Sequence, residues 1–372
     1  MLYLDNAATT KINEEVFSAM KETLSAYGNS EAKFYAQAEE AKTIILSARS
    51  KVAHIINADN PNEIIFTSGA TEANNLVLQG TVLATKKVRK KIIVSSIEHS
   101  SIFDTCEYLK TQGVDIVYVP VDNRGLIDFN ILSNTIDENT ILVSIIAVNN
   151  EIGTIQDLAR VNEICLNKGV CFHTDATQAI GKIQIDVQKY QALKYVTFTA
   201  HKIYGPKGIG CLYVKNDENG LKTEILPILH GGEQEEKLRA GTLPNFLIAG
   251  FGKACEIAER DYEINNENYE KYEEVLVAKL KQKFGDKIII NNNWENRIKG
   301  LLSVRIVGYN NMILLKAISP VIAASAGSAC SVTKPSRVLQ QIGLSALHIS
   351  ESIRLSCSAY MDIRDFNEID NL

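Results

Sequence analysis

The run Ile64-Ile65-Phe66-Thr67-Ser68-Gly69-Ala70-Thr71-Glu72-Ala73-Asn74-Asn75 decides the fold. An apolar strand ends in Ser-Gly-Ala-Thr, Gly69 permits a tight turn, and a helix follows. A strand that feeds directly into a helix is half of a βαβ unit, the element of a mainly parallel sheet. The free amides at the helix start, with the Thr71 hydroxyl, also make an anion site. A plain strand–helix turn with a Ser or Thr cap would read the same way. The run is neither a Walker loop nor a GxGxxG fingerprint.

Outward from this unit, residues 60 to 215 alternate short β-branched runs with helical stretches. Strands are expected at Glu63–Thr67, Lys91–Ser96, Asp115–Val119, Thr140–Ala147, Val170–Thr174, Tyr195–Thr199 and Gly210–Val214. Ser100–Gln112 and Leu158–Asn167 have the composition of amphipathic helices between them. The alternation argues for an α/β domain with a largely parallel sheet. Beyond residue 243 the texture changes to a long Glu-, Lys- and Tyr-rich helical region reaching Phe284. Strands at Lys287–Ile290 and Leu301–Ile306 and a helix near Met312–Ile318 follow, which reads as a smaller α+β domain. No internal repeat or low-complexity linker interrupts the chain.

With 372 residues the chain is too long for one small core. At 45% hydrophobic and 22% charged it has globular composition. A net charge of −5 gives no reason to expect broad phosphate-backbone contact, so no direct nucleic-acid binding is expected. The basic run Lys86, Lys87, Arg89, Lys90, Lys91 reads as a solvated helix end, where cations suit the macrodipole. No apolar run is long enough to span a bilayer. Met1-Leu2-Tyr3-Leu4-Asp5 does not read as a signal peptide, so the expected location is cytoplasmic and away from membranes.

The chain has seven cysteines and no CxxC pair, so no metal site is expected. Most, such as Cys165 and Cys211, sit among apolar neighbours and read as buried small hydrophobes. Cys330 differs: Ala326-Gly327-Ser328-Ala329-Cys330-Ser331 puts it among small residues, which suggests thiol chemistry.

Three further segments carry chemistry. In Thr199-Ala200-His201-Lys202-Ile203-Tyr204-Gly205-Pro206, Lys202 stands where a strand enters a Gly/Pro-rich turn. A lysine there, beside a phosphate site, is where a Schiff base to an aldehyde cofactor would be placed, although a solvated loop lysine is the commoner case. Phe172-His173-Thr174-Asp175-Ala176-Thr177-Gln178 sets a carboxylate just past a buried strand. Such a carboxylate needs a cation, and a protonated pyridine nitrogen would serve; a helix cap would read alike. Ile97-Glu98-His99-Ser100 puts His99 after another strand, where it could stack on a ring and move protons, or be structural.

Taken in order, phosphate turn, His99, Asn149-Asn150-Glu151, Asp175 and Lys202 resemble the class V aminotransferase-related enzymes of pyridoxal phosphate (PLP) fold type I, the aspartate aminotransferase-like fold. Within that class it looks specifically like the NifS- and IscS-like cysteine desulfurases. The matching stretches include Tyr3–Thr10, Thr67–Asn75, Glu98–Ser101, Asn149–Gln156, His173–Lys182, His201–Gly210, Leu238–Leu243, Ser325–Ser331 and Ser352–Ser356, in family order from end to end.

The resemblance implies a division into a large PLP-binding domain, 14–256, and a small domain, 1–13 with 257–372, that carries the cysteine loop. It implies that Lys202 holds the cofactor and that Ala70, Thr71, Thr199 and His201 hold its phosphate, with Thr242 reaching across a dimer interface. Asp175 would pair with the pyridine nitrogen, Gln178 would contact the ring hydroxyl, and His99 would stack on the ring and assist proton transfer. Asn150 and Arg354 would hold the carboxylate of L-cysteine, a task suited to the planar fork of arginine. Cys330 would take the sulfur as a persulfide, alanine would leave, and an acceptor protein would collect the sulfur.

The chain also departs from the family. Gly28-Asn29-Ser30-Glu31-Ala32-Lys33-Phe34 lacks the histidine usual there. His230-Gly231-Gly232-Glu233-Gln234-Glu235-Glu236 has acids where glycine and arginine are usual, and Thr199 replaces a serine. Cys330-Ser331-Val332-Thr333-Lys334-Pro335 is shorter than in the housekeeping iron–sulfur enzymes. The expected protein is therefore a homodimeric cysteine desulfurase. It would serve iron–sulfur assembly or a specialised thio-modification, such as that of DNA phosphorothioation systems. A selenocysteine lyase, another class V enzyme, or a non-enzymatic sulfur relay are the alternatives.

Overall fold

The computed structural model describes residues 1–32, 34–327 and 335–371. Its strands are β1 (Leu2–Tyr3), β2 (Ile64–Thr67), β3 (Lys91–Ser95), β4 (Asp115–Val119), β5 (Thr140–Ser144), β6 (Cys171–Asp175), β7 (Leu193–Thr199), β8 (Gly210–Val214), β9 (Ile288–Ile290), β10 (Leu301–Ile306), β11 (Ile322–Ala323) and β12 (Ser352–Ser356). The helices are α1 (Glu14–Thr23), α2 (Ala36–His54), α3 (Ala70–Ala84), α4 (Ser100–Thr111), α5 (Phe129–Thr135), α6 (Leu158–Lys168), α7 (Asn245–Arg260), α8 (Tyr262–Phe284), α9 (Asn311–Ile318), α10 (Arg337–Gln341) and α11 (Ala346–Ser350).

Seven strands form the main sheet in the order β2-β8-β7-β6-β5-β3-β4. The pairs among β3, β4, β5, β6 and β7 are parallel, and β8 runs against both of its neighbours. Helices α3 to α6 supply the crossovers from β2 to β6, which is why the strands read as near-continuous apolar runs: both faces are covered. Adjacent residues point to opposite cores. Phe66, Val143, Val196 and Phe198 pack with α2, α6 and α7, whereas Ile65, Leu142, Tyr195 and Leu212 pack with α3 and α4. The sequence reading of a largely parallel α/β sheet holds.

Most element bounds fall within two residues of expectation, and two departures are larger. β5 stops at Ser144 rather than Ala147, yet Ile145 and Ala147 still donate backbone bonds to His173 and Asp175, so the chain stays tied to β6 past the regular ladder. The helical region after residue 243 is two helices that break at Asp261, whose φ of −98° and ψ of 13° leave the helical range.

A second, antiparallel sheet of order β12-β10-β9 has its own core, in which Leu276, Leu302, Val304, Leu355 and Phe366 meet. Leu2 and Leu4 lie in that core, and β1 pairs in parallel with β11, so the first residues join the C-terminal part of the chain. The acids in the altered glycine-rich segment have a structural task. Glu235 is buried and takes both nitrogens of the Arg49 fork, with Phe66 N–H donating to it at 2.6 Å, which pins this loop to β2. In the basic run, Lys90 donates to the Val82 carbonyl at the end of α3 and Lys87 to Glu138 and Thr140 carbonyls. Among the described residues, no helix is long and apolar enough to cross a membrane.

Candidate active site

The strands of the main sheet end at a cleft of about 1260 Å³. This is the edge where open α/β sheets bind ligands. Ala70, Thr71, His99, Asn150, Asp175, Gln178, Thr199, His201, Lys202 and Arg354 all line it. Two sequence-predicted residues are not in this set. Thr242 is exposed and lies outside the cleft of its own chain. Cys330 lies outside the described residues.

At one end is the start of α3. Gly69 precedes the helix and no side chain caps it, so its first amides stay open toward the cleft. Gly210 on β8 permits this: a Cβ there would stand 2.8 Å from the Gly69 Cα. Thr199 borders the same turn and donates its hydroxyl to the Ile209 carbonyl at 2.8 Å. His201 Nδ1 lies 3.2 Å from Thr9 Oγ1, and burial, with the Lys202 charge, brings the His201 pKa down to about 4. A neutral imidazole and a helix N-terminus offer donors to an anion.

Lys202 Nζ donates to the Ala7 and Ala8 carbonyls, the latter at 2.7 Å, and among the described residues forms no ion pair with a carboxylate. Burial first, then the charges of Arg354 and Lys182, bring its pKa down to about 7. A lysine so placed is a free amine in a large fraction at neutral pH, the form that can attack a carbonyl. Asp175, 2% exposed, accepts from Asn74 Nδ2 at 2.8 Å and from Thr177 N–H at 2.9 Å. Both donors are neutral, so the buried carboxylate keeps a need for a cation. Gln178 Nε2 donates to the Ala7 carbonyl at 2.7 Å, sharing that acceptor with Lys202. His99 caps α4: its Nδ1 accepts the Ser101 N–H at 3.2 Å and lies 2.9 Å from Ser101 Oγ.

Across the cleft, Arg354 is 2% exposed. Nη1 donates to the Asn150 carbonyl at 2.9 Å and Nη2 to Asp5 Oδ1 at 2.8 Å, while its buried Nε has no partner among the described residues. Asn150 thus contributes its backbone to fixing the arginine. A guanidinium lining a cleft suits a carboxylate.

Sequence reasoning missed Arg337, Glu98 and Glu151, which also line the cleft. Arg337 lies over the Phe103 ring, 3.6 Å from its centroid. Glu151 accepts from the Ser336 hydroxyl at 2.5 Å. Glu98 is fully buried, takes the Ile146 N–H at 2.8 Å, and burial pushes its pKa up to about 8. Adjacency to His99 and to Asn150 was the available signal for the two acids; Arg337 had none.

This donor set fits pyridoxal phosphate: open amides and a neutral histidine for the phosphate, an amine for the aldehyde, and an unpaired buried carboxylate for the ring nitrogen. The comparisons agree on the class. The aminotransferase class-V family profile matches residues 2–372, and the chain belongs to that family of PLP-dependent enzymes. The mitochondrial cysteine desulfurase of Arabidopsis thaliana is 38% identical over 362 residues, covering 96% of this chain and 78% of that one. A solved NifS-like protein superposes with a TM-score of 0.91 at 33% identity, covering 100% and 97% of the two chains. The solved structure of SspA in complex with cysteine gives 0.85, again at 33% identity, over 97% and 100%.

Proposed function

We propose that the protein is a PLP-dependent cysteine desulfurase that converts L-cysteine to L-alanine and forms a persulfide on Cys330. The observation that carries this reading is the convergence in one cleft of a low-pKa Lys202, a buried Asp175 with only neutral donors, and the guanidinium of Arg354. Pyridoxal phosphate, when bound, draws electron density from the substrate carbon that carries the amino group.

The chain's own residues do the rest. Lys202 would anchor the cofactor, and Ala70, Thr71, Thr199 and His201 would hold its phosphate. Asp175 would pair with the ring nitrogen, Gln178 would contact the ring hydroxyl, and His99 would lie against the ring. Arg354, kept in place by Asp5 and the Asn150 carbonyl, receives the cysteine carboxylate. The Lys202 amine would hold and return a proton beside the substrate α-carbon. The Cys330 thiolate forms an S–S bond to the substrate sulfur as the C–S bond breaks; the electron pair stays with carbon, which takes a proton, and alanine leaves. Each of the six described cysteines has its thiol pKa raised by burial, which leaves them poor nucleophiles and supports Cys330 in this role.

The sulfur then passes to an acceptor protein of an iron–sulfur or thio-modification pathway in the cytoplasm. The working unit is a homodimer in which Thr242, exposed on its own chain, completes the partner's phosphate site. Exposed Phe17, Leu24, Tyr27 and Phe34 on the N-terminal segment support a covered face.

Incubation with L-cysteine followed by intact mass measurement tests the reading. The expected result is a gain of one sulfur atom that is lost in Cys330→Ala while cofactor absorbance persists. A protein that stays colourless with added pyridoxal phosphate sinks it.

A further inference from the structure

Behind the cleft, one buried amide joins the two residues expected to flank the cofactor ring. Asn74 on α3 is fully buried. Its Nδ2 donates to Asp175 Oδ2 at 2.8 Å and to Ser101 Oγ at 2.9 Å. The opposite amide orientation would set its carbonyl oxygen against a carboxylate, so the chemistry dictates this one. Ser101 Oγ, already accepting from Asn74, has its proton free for His99 Nδ1 at 2.9 Å. The Ser101 backbone N–H, which can only donate, points at the same Nδ1 at 3.2 Å. Two donors therefore face one lone pair, and neutral His99 must carry its proton on Nε2.

We propose that Asn74 is a positioning residue: through Ser101 it fixes His99 as the neutral Nε2–H tautomer, and at the same time it holds the carboxylate of Asp175. His99 then offers a hydrogen-bond donor at Nε2, and it can take up a second proton only by displacing the donors at Nδ1. Burial lowers the pKa of His99 and so favours the same state. The charged groups around it are Asp175 at the end of β6, Lys202 beyond β7, Arg337 on α10 and Asp104 on α4. The roles of His99 and Asp175 rest on the functional reading above; the tautomer does not.

The test uses protein labelled with ¹⁵N in histidine, without added cofactor, and long-range ¹H–¹⁵N spectra of the rings, with His99→Gln to assign the signal. The wild type is expected to show a protonated-type Nε2 and an unprotonated-type Nδ1. Ser101→Ala and Asn74→Ala should both raise the His99 titration midpoint, because Ser101 can no longer be held as a donor, and Ser101→Thr should restore it. Purely structural side chains would lower stability and leave the ring signals alone. Unchanged shifts and midpoint in both variants overturn the proposal, as does a wild-type ring protonated at Nδ1. Alanine release from cysteine is scored separately: its absence in the wild type counts against the desulfurase reading, while the ring spectra still decide this one.

Discussion

The two sides of the cleft are built differently. The sheet side holds Asp175, His99, Thr199 and Lys202 at strand ends, tied through Asn74, Ser101, Thr177 and Ile209 and, for Lys202, through the Ala7 and Ala8 carbonyls. The opposite side rests on contacts that bring the C-terminal part of the chain to the cleft: Arg354 with Asp5 and Asn150, and Ser336 with Glu151. A site built on a parallel sheet is set by local chain geometry, because each crossover delivers a strand end to the same edge. The other side exists only once the second core has formed and docked. Damage to the first should therefore strike chemistry, and damage to the second should strike substrate binding.

The largest expected effect is on the sheet side. Lys202→Ala should abolish alanine formation, and Asp175→Asn should lower kcat on the order of 10²–10³-fold, the scale for losing one preorganised electrostatic partner. A kcat within threefold of wild type in Asp175→Asn would break the comparison. On the opposite side, Arg354→Lys should raise KM for cysteine roughly 10- to 100-fold with a smaller change in kcat, as expected for losing charge-assisted bonds made in the ground state. A kcat defect without a KM defect would erase the distinction.

The pH behaviour sharpens it. Cofactor uptake by the apo protein needs the neutral Lys202 amine, so its rate should rise with pH through a midpoint near 7. A midpoint near 10 would mean that the buried site does not discharge this lysine. Glu98, with its pKa raised from 4.5 to about 8, favours the protonated carboxyl in the fold. Its stabilising contribution is complete below about 4.5 and is lost as pH rises through about 8. Glu98→Gln mimics the protonated form. It should stabilise by roughly 1–3 kcal/mol at about pH 9 and change little at about pH 5, read as the thermal midpoint. The smallest effect lies away from the cleft. Lys237 has φ of 67°, a left-handed backbone where glycine is at ease, and Lys237→Gly should stabilise by about 0.5–1 kcal/mol.

Much was legible in advance because it depends on neighbours in the chain. The strand–turn–helix at Ile64–Asn75, the lysine turn after β7 and Asp175 at the end of β6 are local patterns, and each came out close to its expected place. The break at Asp261 was not legible, because Glu-, Lys- and Tyr-rich composition continues across it unchanged. Glu235 read as a departure and proved to be a buried anchor, since Arg49 lies 186 residues away in sequence.

By itself, then, the sequence determined the α/β alternation, the order of chemical groups along it and the family they resemble, because strand periodicity and turn residues act over a few positions. Only the tertiary structure decided that Arg354 is held by Asp5, that Arg337 and Glu98 reach the cleft, and that Asn74 joins Asp175 to Ser101. Those contacts come from packing separate elements together, and no short-range pattern encodes which buried polar groups will find each other.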